Sequence, residues 1–139
     1  LDLLHLLPPV PRRLLNTYAL EQDLVSANAP DCYWAAMNFF ESTASNRYLD
    51  DQLARSYYFQ EHFETVSPPC QFGDVNVIFH PGANQFVHSY ITIADDIIYT
   101  KNGSGRFFPY VLMRREDMLS RYLSTEELQT EVYRLKNLN

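Results

Sequence analysis

Gly73-Asp74-Val75-Asn76-Val77-Ile78-Phe79, followed by Phe86-Val87-His88-Ser89-Tyr90-Ile91-Thr92-Ile93, decides how this chain is read. β-Branched and aromatic residues dominate both runs, and His80-Pro81-Gly82-Ala83-Asn84 separates them. That pattern predicts two strands joined by a turn. Asp74 is expected to fix the first strand's entry by accepting backbone N–H bonds, the usual work of Asp in a turn. Downstream, Ala94-Asp95-Asp96 is a tight turn and Ile97 to Thr100 a third strand. Lys101-Asn102-Gly103-Ser104-Gly105 is a Gly-rich loop. It lacks the Lys-Ser/Thr and the following helix of a phosphate cradle, so it reads as a hairpin or lid loop. Phe107 to Met113 forms a fourth strand, broken near Pro109, and Arg115 to Tyr122 is short and helical. Ser124-Thr125-Glu126-Glu127 fits a capping box, and Thr130 to Lys136 closes the sheet as a last strand.

Upstream of residue 73 the period is different. Leu1 to Arg13 carries Pro8, Pro9 and Pro11 and reads as extended, with residues 1–28 forming an N-terminal arm. Leu14 to Val25 has weak helical spacing. Pro30-Asp31 opens a helix from Cys32 to about Ser42, with Ala35, Ala36, Phe39 and Phe40 as its apolar stripe. Ser45-Asn46 breaks it, and Asp50 to Phe63 is a second helix. Val66 to Phe72 is a Pro-rich connector. Helices first and an antiparallel meander second make an α+β architecture, with N-terminal helices packed on the sheet.

The 139 residues fit one domain, 1–139, with a core of its own. Hydrophobic residues at 46% and charged residues at 20% place the chain among globular proteins. No apolar run reaches the roughly 18 residues of a membrane span. Leu1 to Leu7 lacks the basic start and small-residue cleavage site of a signal peptide. A formal charge of −6 argues against nucleic acid as a partner, and Arg114-Arg115 is too small a basic spot to reverse that. Much of the aromatic content, ten Tyr and nine Phe, must build the core, and some of it is expected to line a cleft.

Cys32 is the candidate nucleophile. A thiol in the first turn of a helix faces free backbone N–H groups and the positive end of the macrodipole, which favour the thiolate. His88, at the start of a strand distant in sequence, is the candidate base. Each has a plainer alternative. Cys32 could be a buried structural thiol or pair with Cys70, the second of only two cysteines. His88 could be a half-buried strand histidine bonded to a backbone carbonyl. No His-x-x-x-His or Cys-x-x-Cys spacing exists, so no metal site is expected.

Asp31-Cys32, then Gly73-Asp74 opening a strand, then His88 beginning the next, resembles the NlpC/P60 cysteine peptidases. More broadly it resembles the papain-like group that includes the CHAP amidases. The match covers roughly residues 29 to 103. The resemblance implies a papain-like NlpC/P60 fold and a cysteine peptidase or amidase acting on amide bonds, often in the peptide stems of peptidoglycan. It implies no metal and no organic cofactor, and a periplasmic or secreted setting if the substrate is cell wall. Catalytic Cys and His carry over onto Cys32 and His88. Tyr33-Trp34 stand where NlpC/P60 proteins have Ser-Gly; they are the candidate substrate-binding residues lining the cleft, with a place in the core the equal alternative for Trp34. Thr100 occupies the usual third position, but Asn102 lies on the same face of the strand if it continues. Because a papain-type pair can use an Asn orienter, Asn102 is the expected one. Two rivals remain open: an acyltransferase using the same pair, and a non-catalytic peptide- or glycan-binding module on the same scaffold.

Overall fold

The computed structural model describes residues 2–18, 30–46, 52–82, 85–102, 108–122 and 127–136. Its order is a 3-10 turn Leu3–Leu6, α1 Pro9–Leu14, α2 Cys32–Met37, α3 Gln52–His62, β1 Phe63–Val66, β2 Val75–His80, β3 Gln85–Ala94, β4 Ile97–Lys101, β5 Tyr110–Arg114, α4 Arg115–Ser120 and β6 Gln129–Leu135. The six strands form one sheet in the order β1-β6-β2-β3-β4-β5, every neighbouring pair antiparallel. The fold is α+β, as the sequence predicts.

Three elements differ from the sequence reading. Pro9–Leu14 is helical, not extended. Prolines fall at the helix start, where the first turn needs no donors and φ is already set. Arg12 then ties the turn down, its guanidinium donating to the carbonyls of Leu7 and His5. α2 stops at Met37 rather than near Ser42. Asn38, fully buried, ends it: its amide donates to Trp34 O at 3.0 Å and Ser45 O at 3.1 Å, and its carbonyl accepts from Ser45 N at 2.7 Å. Phe63–Val66 is a strand, not a helix end and connector, because it pairs with β6 some seventy residues on. The expected capping box at 124–127 and the Gly-rich loop at 103–105 lie almost wholly outside the described residues.

Strand alternation sorts the core into two layers. On one face, Trp34, Ala35 and Ala36 of α2 and Phe39 just after it pack on Val75, Val77, Ile91, Ile93, Tyr99 and Tyr110. On the other, Met118 of α4 packs with Ile78, Tyr90 and Ile98. Gly73 allows the chain to enter β2 beneath α2. Its φ of +87° suits glycine, and a Cβ there would meet the Phe40 ring at 2.3 Å. Asp74 fixes that entry as expected, accepting from Gln71 N at 2.7 Å.

Candidate active site

Cys32 is the first residue of α2. Asp31 caps the helix, its carboxylate accepting from the Trp34 amide at 2.9 Å. The donors expected at a helix start are present: the Tyr33 amide stabilises the ionised sulfur, and so do the Ser89 backbone and hydroxyl. The Ser89 hydroxyl is buried and has no hydrogen bond among the described residues while the sulfur is a neutral thiol. Even so, the expectation of a resting thiolate is corrected. Cys32 is 8% exposed, and burial, reinforced by the Asp31 carboxylate, pushes its thiol up to about 11. A helix terminus is worth about 0.3–1 kcal/mol, under one pKa unit, whereas burial shifts a group by as much as three to five units. Both cysteines are free thiols, so the Cys32–Cys70 bridge is not formed; the Cys70 sulfur lies 3.5 Å from Asn76 Oδ1.

Cross-strand pairing places Val77 opposite Ser89 and Ile78 opposite His88. Ser89 therefore shares the α2 face with Val77, and His88 shares the α4 face with Ile78. The sulfur of Cys32 thus sits against Ser89 on the α2 face, the His88 ring lies on the α4 face, and no hydrogen bond joins the two side chains among the described residues. His88 is 2% exposed, and burial alone lowers its imidazole to about 4. Resting thiol and imidazole are both neutral.

Thr100, not Asn102, holds the ring. Thr100 Oγ1 donates to the Ser89 carbonyl at 3.0 Å and lies 2.9 Å from His88 Nε2. A hydroxyl has one proton. With that proton on the carbonyl, Thr100 accepts from Nε2–H, so the imidazole carries its proton on Nε2 and Nδ1 is the basic atom. Asn102 falls one residue beyond β4, where its amide donates to Met113 Sδ at 3.3 Å. The expected orienter is corrected for that reason: the strand ends before it.

Trp34 is corrected as well. It is buried in the core, its ring 5.9 Å from Tyr110 and its indole N–H donating to Asn46 Oδ1 at 3.0 Å. Tyr33 is half-buried and meets Phe86 edge-on at 6.4 Å. Phe86, two residues before His88, is 61% exposed. An aromatic wall thus stands between the segments that carry the thiol and the imidazole.

Two side chains escaped the sequence reading. Lys101, the last residue of β4, is fully buried with its ammonium 5.9 Å from the Tyr110 ring centre. Burial lowers its pKa, while Asp31 and Cys32 act in the opposite direction. Tyr122, just after α4, stacks on His88 with centroids 4.5 Å apart and planes 20° from parallel, its hydroxyl 3.1 Å from Nδ1. Nothing local marked either residue, since their partners lie across the sheet or 34 positions away. Among the described residues, no group of three or more His, Cys, Asp and Glu could hold a metal ion, and no helix is long and apolar enough to cross a membrane.

No protein-family model matches the chain, no curated protein matches it, and no solved structure matches it.

Proposed function

We propose that this protein is a cysteine hydrolase of amide bonds, with Cys32 as nucleophile, His88 as general base and Thr100 as the orienting group. The observation that carries the reading is the Ser89 carbonyl–Thr100–His88 chain. It fixes the Nε2–H tautomer and leaves Nδ1 as proton acceptor, on the residue beside the one that the Cys32 sulfur touches. The thiol is neutral at rest, and its sulfur faces α2 while the His88 ring faces α4, so ionisation accompanies substrate binding: the proton of Sγ reaches Nδ1 around the end of β3 through a bound water as Sγ attacks the carbonyl carbon. The backbone N–H of Cys32, at the start of α2, helps receive the developing oxyanion. Imidazolium then protonates the leaving amine, and water, activated by Nδ1, releases the acyl group and regenerates the thiol. The Tyr33–Phe86 wall suits an extended peptide with an apolar side chain, and the NlpC/P60 resemblance makes cell-wall stem peptides the first candidates.

The neutral thiol favours one second reading: a peptide-binding module on the same scaffold, with no turnover. A panel of peptide amides and peptidoglycan stem peptides, followed by amine release, separates the two. Turnover of at least one, reduced about tenfold in Thr100→Val as an orienting contact is lost, is the expected result. Binding without turnover across the panel would assign the module instead.

A further inference from the structure

We propose that Tyr122 is a positioning residue for His88, clamping the imidazole against the sheet from the face that Thr100 leaves open. The inference rests on the proposed Cys32–His88 chemistry for its purpose, but its geometry stands apart from it. Thr100 fixes only one edge of the ring, through Nε2. A single edge contact leaves the imidazole free to swing about its χ2 axis, a broad torsion in histidine. Tyr122 removes that freedom by lying across the ring, centroids 4.5 Å apart and 20° from parallel.

The manner of approach matters. The phenol oxygen lies in the plane of its own ring, and that plane is stacked over the imidazole. The hydroxyl lies 3.1 Å from Nδ1, the atom that the Nε2–H tautomer leaves as acceptor, so at rest Tyr122 donates to the base and gives way when Nδ1 takes a proton. Tyr122 thus restrains the base through its stacked ring and its hydroxyl together. Tyr122 is itself well anchored. Its amide donates to Leu119 O at 2.9 Å, that of Arg121 donates to Met118 O at 3.1 Å, and Met118 is fully buried among Ile78, Tyr90 and Ile98. The start of α4 is tied to the β3–β4 turn by Arg115 N donating to Asp96 O at 2.7 Å. The whole α4 turn thereby carries the clamp. Tyr122 is also close enough to Cys32 that a thiolate there would raise the phenol pKa.

The test compares Tyr122→Phe, which keeps the stacked ring, with Tyr122→Leu, which removes it. Two readouts are taken on folded protein: the His88 titration by NMR on histidine-labelled samples, and the iodoacetamide rate of Cys32 at neutral pH. Tyr122→Phe should titrate within about half a unit of the parent and keep its rate, because the stack is intact. Tyr122→Leu should titrate upward toward 6.5 as water reaches the ring, and its Cys32 should react about tenfold more slowly through lost orientation. Leu and Phe variants behaving alike in the His88 titration would overturn the clamp. If the Leu variant does not fold, the parent decides: absence of an upfield ring-current shift on the His88 ring protons would overturn it. A titration that moves while Cys32 reactivity stays fixed supports the clamp and counts against the Cys32–His88 chemistry instead.

Discussion

Asp74→Ala is expected to destabilise the fold by about 3 kcal/mol, in the range for dismantling a buried charge-assisted network. Asp74 is 1% exposed, yet every strong donor near it is matched. Oδ1 accepts from Arg134 Nε at 2.8 Å, and Oδ2 accepts from Arg134 Nη2 at 2.8 Å and from Gln71 N at 2.7 Å. One carboxylate thus ties the entry of β2 to β6, its neighbour in the sheet but 60 residues away in sequence. The planar guanidinium fork matches two carboxylate oxygens at once, which a lysine could not do. Asp74→Asn should recover part of the loss, since it keeps the volume and one acceptor. Arg134→Ala should be destabilising in the same direction, because it leaves a buried carboxylate without its counter-charge. Urea unfolding checks this: the midpoint should fall with the slope unchanged. A loss under about 1 kcal/mol in Asp74→Ala would show that the pair contributes little beyond its desolvation cost.

Acidification from pH 6.5 to pH 4 is expected to remove up to about 3 kcal/mol of stability through His88 alone. The sign follows from burial. In the unfolded chain the imidazole takes up a proton near 6.5; in the fold, burial lowers it to about 4. Above pH 6.5 both states are neutral and the group costs nothing. As pH falls below 6.5 the unfolded state binds a proton that the native state refuses, so stability drops until pH passes about 4, where both are charged. His88→Asn removes this titration. The stability difference between parent and variant should therefore shrink steadily over that window. A difference that stays constant from pH 7 to pH 4 would mean that the imidazole is not buried as described.

How much of this was legible in the sequence depended on how local each cause was. The strands over 75–101 and the helix start at Cys32 were readable because alternation, turn residues and a capping Asp all lie within a few positions. Phe63–Val66 was missed because its strand character comes from β6, far along the chain. Trp34 stays open between cleft and core in the sequence for a similar reason: helical spacing cannot say that an indole N–H finds Asn46 inside the core. The thiol was misjudged because a helix start is visible in sequence and burial is not, and burial is the larger effect. Chemical type alone favours Asn102 over Thr100. The fold decides otherwise, by ending β4 at Lys101 and by giving Thr100 the Ser89 carbonyl as an anchor.

The most direct measurement of the central claim, that Cys32 and His88 act as a pair, is the rate of Cys32 alkylation against pH in the parent and in His88→Ala. With the thiol raised to about 11, the rate should climb steeply above neutrality in both proteins. At pH 7, however, the parent should exceed His88→Ala by about tenfold or more, because only the parent has a neutral imidazole to take the thiol proton. Superimposable profiles in the two proteins would contradict the pairing and leave Cys32 a buried structural thiol.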